Sequence, residues 1–304
     1  MKNDYRILLT DICKKHGIEY VGVVSPGPYT DLKIYLEQRI AEGKFTGLEE
    51  KDIIKRTDPK ETMSEAGSVA VCLFPYYSKA ADRAVGNISI HSRVPDYHKI
   101  IIEKLNKIGE DLKKEIPDFR YSSYTDTGPL VDRYLAQRAG LGYRGLSSNL
   151  INDKYGSYVF IGYMINNYPF TPDAPNNKKC LQCGQCIRSC PGKAISENYG
   201  MDPKRCLSYI TQKKGELSEQ ETKLMSVQSM VYGCDICQEV CPLNSGLPDT
   251  PIGEFKENLI SGIDESELGK MSSWEFKKRY GDRTFAWRGL GVLKRNLEIA
   301  SKDK

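Results

Sequence analysis

Eight of the chain's ten cysteines fall between Cys180 and Cys241, and no other feature limits so sharply what this polypeptide can fold into. The run Cys180-Leu-Gln-Cys183-Gly-Gln-Cys186-Ile-Arg-Ser-Cys190-Pro191 has the C-x2-C-x2-C-x3-C-P spacing by which thiolates hold 4Fe–4S cubes. Three thiolates at this spacing wrap one cube. The fourth, followed by proline, turns towards a second. Cys234-Asp-Ile-Cys237-Gln-Glu-Val-Cys241-Pro242 repeats the ending but lacks one ligand of a full set, which Cys206 is available to supply. The count then closes, with Cys180, Cys183, Cys186 and Cys241 assigned to cluster one and Cys190, Cys206, Cys234 and Cys237 to cluster two. C-x2-C pairs also build tetrahedral zinc sites. The doubled C-x3-C-P ending is not expected of zinc ribbons and favours two 4Fe–4S clusters. Cys13 and Cys72 stand apart and read as ordinary buried thiols.

Two cubes in one module make a short electron wire, and a wire needs something to reduce. At 304 residues the chain is too long for the cysteine module alone, so the chemistry is expected elsewhere in it. No stretch approaches the ~18 consecutive apolar residues of a membrane span. The N-terminus is broken by charges and has no small-residue cleavage site, which makes the cytoplasm the expected location and excludes a membrane partner. A net charge of +4 is too mild to announce a nucleic-acid partner. Basic stretches such as Gln212-Lys213-Lys214-Gly215 and Lys294-Arg295 leave an RNA partner open.

Hydrophobic periodicity divides the chain into three. Helices are predicted over 4–16, over Tyr97–Ile116 (apolar at Ile100, Ile101, Leu105 and Ile108) and from Pro129 to Ala139. Strands are predicted over Glu19–Val24, Ser68–Phe74, Phe119–Thr125 and Ser157–Ile165. Alternating strands and helices over 1–170 imply a layered domain, and Pro169, Pro172 and Pro175 make a linker. The cysteine module follows over 171–250, and 251–304 is expected to be helical and to pack back on the core. The fold class expected is α+β: an α/β domain joined to a bacterial-ferredoxin-type module carrying two 4Fe–4S clusters.

The densest non-core signals are Tyr124-Thr-Asp126-Thr-Gly-Pro-Leu-Val-Asp-Arg133, Ala139-Gly-Leu-Gly-Tyr-Arg-Gly145 and Asn149-Leu-Ile-Asn-Asp-Lys-Tyr155-Gly-Ser157. Asp126 ends a predicted strand just before a helix, where a carboxylate alone reads as a cap. Together with Arg56-Thr-Asp-Pro59, Asp96-Tyr97-His98 and the full cysteine pattern, these segments resemble the epoxyqueuosine reductases, in the family's order along the chain. The resemblance implies a cobalamin held base-off on a domain related to flavin nitroreductases. Electrons would pass from an external low-potential donor through the clusters to cobalt, and epoxyqueuosine in a tRNA anticodon loop would become queuosine. It also implies a cytoplasmic enzyme that works as a monomer.

By motif position, the cofactor-binding residues implied are Arg56, Ser92, Tyr97, Asp126, Leu150, Ile161, Gln212 and Lys214. Asp126 matches the family's general acid: reductive cleavage of a C–O bond leaves an alkoxide that a carboxylic acid can protonate. Leu150 and Ile161 are apolar, as a corrin face requires, and read equally as core. The match departs at Gly145-Leu-Ser-Ser-Asn149, where the family shows Gly-Lys-Asn. It also implies a short form, since longer members carry a C-terminal helical-repeat domain. The alternatives are a corrinoid reductase for another substrate, such as an organohalide, and a corrinoid-reducing electron carrier with no substrate of its own.

Overall fold

The computed structural model describes residues 5–82 and 87–301. In chain order the helices and strands are α1 (Tyr5–Lys15), β1 (Tyr20–Val24), α2 (Thr30–Ala41), α3 (Ile53–Thr57), β2 (Ser68–Pro75), α4 (Lys79–Asp82), α5 (Tyr97–Glu115), β3 (Tyr121–Thr125), α6 (Asp132–Arg138), β4 (Tyr143–Arg144), β5 (Leu150–Ile151) and β6 (Val159–Asn166). There follow α7 (Gln185–Ser189), α8 (Leu207–Ile210), α9 (Glu219–Gln228), α10 (Ile236–Glu239), α11 (Glu265–Lys270), α12 (Ser273–Tyr280) and α13 (Leu290–Ala300). By packing, these fall into two compact units that interleave along the chain. Unit 1 is Met1–Pro75, His98–Gly145 and Asn149–Leu181; unit 2 is Tyr76–Tyr97, Leu146–Ser148 and Gln182–Lys304.

Unit 1 is built on an antiparallel sheet in the order β1-β2-β6-β3. β2 (SVAVCLFP) is buried at every position, which explains why it reads as a continuous apolar run rather than an alternating one. One face, with Val69, Val71, Leu73, Ile161, Tyr163 and Ile165, packs with Leu32 and Leu36 of α2 and Leu135 and Ala136 of α6. On the other face α5 lays a stripe of fully buried Ile101, Leu105, Ile108 and Leu112, spaced one and two turns apart. That approach needs Gly162, where a Cβ would run into Ile101, Leu105 and Phe74. Cys13 and Cys72 meet inside this layer as a hydrogen-bonded pair of buried thiols.

Most predicted elements form where the pattern placed them, residue 4 lying outside the described chain. The helix expected from Pro129 instead begins at Asp132. The Leu130 N–H donates to the Tyr163 hydroxyl at 2.9 Å and the Asp126 N–H to an Asp132 carboxylate oxygen at 2.8 Å, so residues 126–131 form a pinned turn. α2 and α3 are helices that the sequence reading left unassigned. The proline-rich stretch runs without helix or strand, but Asp173 ties it to the edge of β1: its N–H donates to the Val23 carbonyl and its carboxylate accepts from the Val23 N–H. That contact covers an otherwise open sheet edge.

Unit 2 is helical. α11, α12 and α13 bury Leu268, Phe276, Tyr280, Leu293 and Leu297 with Ile88, Val231, Tyr232 and Phe285. α12 starts with a capping box, the Ser272 side chain and Glu275 exchanging hydrogen bonds across the first turn. A second core holds Cys190, Ala194 and Ile195, with Cys186, Cys206 and Cys237 packed against it.

Candidate functional site

Asp126 follows directly on β3, whose last residue, Thr125, is fixed by a 2.8 Å bond from its hydroxyl to the Ile161 carbonyl. At Asp126 the backbone turns into the left-handed region, φ +53°, which non-glycine residues adopt only where the surroundings hold them. Asp132 supplies one hold, at the Asp126 N–H. Gly128 permits the next, because a Cβ there would collide with the Tyr163 hydroxyl and with Tyr124. Those two rings stack at 5.3 Å and 27°, and the Tyr163 hydroxyl accepts the Leu130 N–H. The result is an acid presented outward from a strand end, its side chain 62% exposed, with His98 Nε2 from the first turn of α5 at 3.3 Å from Oδ2.

Behind Asp126, the carboxyl of Asp132 turns inward although the residue as a whole is half-buried. Burial first, and the neighbouring Asp126 second, push its pKa up to about 7. Its Oδ1 is buried without a hydrogen-bond partner among the described residues. Arg56, at the end of α3, is half-buried, its side chain carries no hydrogen bond or ion pair among the described residues, and burial pulls its pKa down. α3 itself is capped by Asp52, which accepts from the Ile54 and Lys55 N–H groups. Leu150 and Ile161 both lie in the buried cluster shared with Leu130 and Leu135, so the packing alone explains them as core.

Ser92, Tyr97, Gln212 and Lys214 belong to unit 2. Ser92 is fully buried, and its hydroxyl lies 3.0 Å from His91 Nε2. The other ring nitrogen meets the Ser89 hydroxyl at 2.7 Å, and that hydroxyl donates to Asp235 at 2.5 Å. The chain of four side chains therefore ends on the residue between Cys234 and Cys237. Tyr97 is buried. The Gln212 carbonyl accepts from the Tyr232 hydroxyl at 3.2 Å, and that hydroxyl accepts in turn from the Trp287 indole at 3.0 Å. Lys214 is exposed, whereas Lys213 beside it pairs with Glu221.

The cysteines assigned to cluster two are mutual neighbours. Cys237 has its pKa raised by burial and then by Cys234, Cys206 and Cys190, and Cys234 is pushed up to about 12 by burial with Cys206 and Cys190 close by. Cys234 and Cys237, brought together this way, resist ionising until iron takes the place of their protons. The Ala194 N–H already donates to Cys190 Sγ at 3.3 Å, and α7 packs on α10. Among the described residues no three His, Cys, Asp or Glu side chains close on a single metal ion. Of the cluster-one set, Cys183, Cys186 and Cys241 are in unit 2 and Cys180 is at the end of unit 1.

Sequence reasoning quoted His98 without giving it a role, and missed Asp132 and the Ser89–His91–Asp235 chain. An acid six residues beyond Asp126 was the available signal for Asp132. Nothing local connects Ser89 to Asp235, 146 residues away.

Residues 179–244 match the family described as "4Fe-4S double cluster binding domain", and residues 56–127 match "Epoxyqueuosine reductase QueG, DUF1730". The Bacillus anthracis epoxyqueuosine reductase is 35% identical over 309 residues, 98% of this chain and 80% of the relative. An epoxyqueuosine reductase solved with an epoxyqueuosine-modified tRNA-Tyr stem loop superposes with a TM-score of 0.88 at 32% identity, covering 98% of this chain and 81% of that one. A Bacillus subtilis epoxyqueuosine reductase, captured with an aspartate-bearing catalytic loop swung out of its active site, gives a TM-score of 0.89 at 32% identity, with 98% and 82% covered. A reductive dehalogenase described as B12-dependent shares the fold alone, at 14% identity and a TM-score of 0.53 over 95% of this chain and 36% of that one. The chain belongs to the epoxyqueuosine reductase family, whose members are oxidoreductases.

Proposed function

We propose that this protein reduces epoxyqueuosine to queuosine in the anticodon loop of tRNA, with Asp126 as the proton donor. The observation that carries the reading is the presentation of Asp126: an outward-facing carboxyl at a strand end, held in a left-handed turn by Asp132, Gly128 and Tyr163. A relative's catalytic loop is likewise described by its aspartate. The net reaction takes two electrons and two protons, breaks both C–O bonds of the epoxide, forms a C=C bond and releases water. Asp126 delivers one of those protons to the departing oxygen.

The electrons need carriers. Cys190, Cys206, Cys234 and Cys237 fit one cube as neighbouring thiols, Cys190 buried and the others half-buried, and we assign Cys180, Cys183, Cys186 and Cys241 to the other, with an external low-potential donor feeding both. Cobalamin, when bound, supplies a low-valent cobalt that reduces the epoxide carbon. The residues of unit 1 suit such a group: Arg56 is a half-buried cation without a partner among the described residues, ready for the polar rim of a corrin. Ile161 and Leu150, buried in the unit 1 core, are the apolar residues proposed for the corrin face. Ser92, Tyr97, Gln212 and Lys214, in unit 2, are proposed as cofactor and tRNA contacts by motif position. We take unit 1 to be related to the nitroreductase folds, in keeping with its sheet packed between helices.

Anaerobic reconstitution with iron, sulfide and cobalamin, followed by incubation with tRNA bearing epoxyqueuosine, tests this reading. Nucleoside mass spectrometry should show queuosine. A cobalamin-bound, cluster-loaded protein that leaves epoxyqueuosine untouched would refute the substrate.

A further inference from the structure

The residue behind the proton donor has a task of its own, and the inference rests on the reading of Asp126 given above. Asp132 opens α6, where a carboxylate commonly turns back onto its own helix. Here Oδ2 reaches instead to the backbone N–H of Asp126, 2.8 Å away, while Oδ1 stays buried without a hydrogen-bond partner among the described residues. A left-handed aspartate relaxes towards ordinary backbone angles unless something over-determines it. In this turn the nearest such restraint at Asp126 itself is the Asp132 carboxylate.

We propose that Asp132 is a positioning residue: its inward carboxylate latches the Asp126 backbone in the left-handed conformation, and release of that latch lets the catalytic turn swing away. An ionised acceptor makes the stronger bond. The groups that set its charge are Asp126 in the turn, Arg133 beside it on α6, Tyr163 on β6 and Arg56 from α3. Burial and Asp126 leave Asp132 titrating at about 7.

Hydrogen–deuterium exchange on the cluster-loaded protein tests the latch without any turnover. In Asp132→Ala, peptides covering 126–131 should exchange about tenfold faster than wild type, the size of one lost charge-assisted hydrogen bond, while β2 and α5 stay unchanged. Asp132→Asn keeps a carbonyl acceptor. It should recover most of the protection. Turnover should follow, with kcat falling in Asp132→Ala and KM for tRNA unchanged. Exchange in 126–131 within twofold of wild type in Asp132→Ala would overturn the latch, as would faster exchange spread evenly over unit 1 or an Asn variant no better than Ala. If exchange behaves as expected but wild type never converts epoxyqueuosine, the latch stands and the assigned reaction falls.

Discussion

His98 Nε2 stands 3.3 Å from Asp126 Oδ2, so the acid presented by the end of β3 is met by a ring from the start of α5. With side chains 30% and 62% exposed, the pair is solvent-screened and contributes ~1 kcal/mol or less to stability. Its importance is positional: the turn that carries Asp126 is pinned by backbone contacts, while the carboxyl points outward to solvent. A proton donor that must meet an incoming substrate needs that combination.

If Asp126 donates the proton, Asp126→Asn should lower kcat by about 10²–10⁴-fold. The substituted side chain is still exposed, so iron content, cobalamin binding and thermal stability should match wild type. Single-turnover assays with epoxyqueuosine-bearing tRNA check this. Retained turnover would remove Asp126 from the chemistry.

Cys206 is the ligand outside the repeated motif, assigned by count and found beside Cys234 and Cys237. Cys206→Ala should lower iron from about eight to about four atoms per chain and halve the visible iron–sulfur absorption. An unchanged iron content would show that another group completes the second cube.

The catalytic turn should tolerate no side chain at Gly128. A methyl group there meets the Tyr163 hydroxyl and Tyr124, so Gly128→Ala should cost about 1–3 kcal/mol and lower Tm by several degrees. Tyr163→Phe removes the obstructing oxygen together with the acceptor of the Leu130 N–H. The double variant should therefore lose less stability than the two single changes added. Strict additivity would mean the collision is relieved elsewhere.

Stability should carry an opposing pair of pH dependences. Asp132 has a folded pKa of about 7, above the ordinary carboxylate range, so the folded state holds its proton more tightly and the stability it contributes is lost as pH rises from about 4 through 7. Asp111 goes the other way. Hydrogen bonds from Lys114, Lys15 and His16 hold its pKa well below that range, so its contribution is present at neutrality and lost on acidification. Tm of anaerobic protein followed from pH 5 to pH 8 should fall more steeply for wild type than for Asp132→Asn. Parallel profiles would contradict the buried, protonated Asp132.

Long, one-faced or fully buried segments were legible in the sequence because their pattern is their packing: β2 is apolar at every position after Ser68 and lies inside on both faces, and α5 shows its stripe at helical spacing. The double-cluster module was legible because cluster ligation is written in spacing, and Cys206, proposed for the second cube, lies near Cys190, Cys234 and Cys237. The start of α6 was not. Pro129 is a good opening residue for a helix, but Tyr163, 33 positions away from Leu130, takes the N–H that would have begun it. The roles of Asp132 and Asp235 were hidden for the same reason: each acts on a backbone or hydroxyl group that only tertiary folding brings near.

The central claim, that this chain spends two electrons on each epoxyqueuosine it converts, is tested most directly by a reductant-limited turnover. Anaerobic protein loaded with iron, sulfide and cobalamin is mixed with excess epoxyqueuosine-bearing tRNA and a measured, limiting amount of low-potential reductant. One queuosine should form per two electrons supplied, with Asp126→Asn forming essentially none. Reductant consumed without queuosine, by protein that holds both clusters and cobalamin, would contradict it.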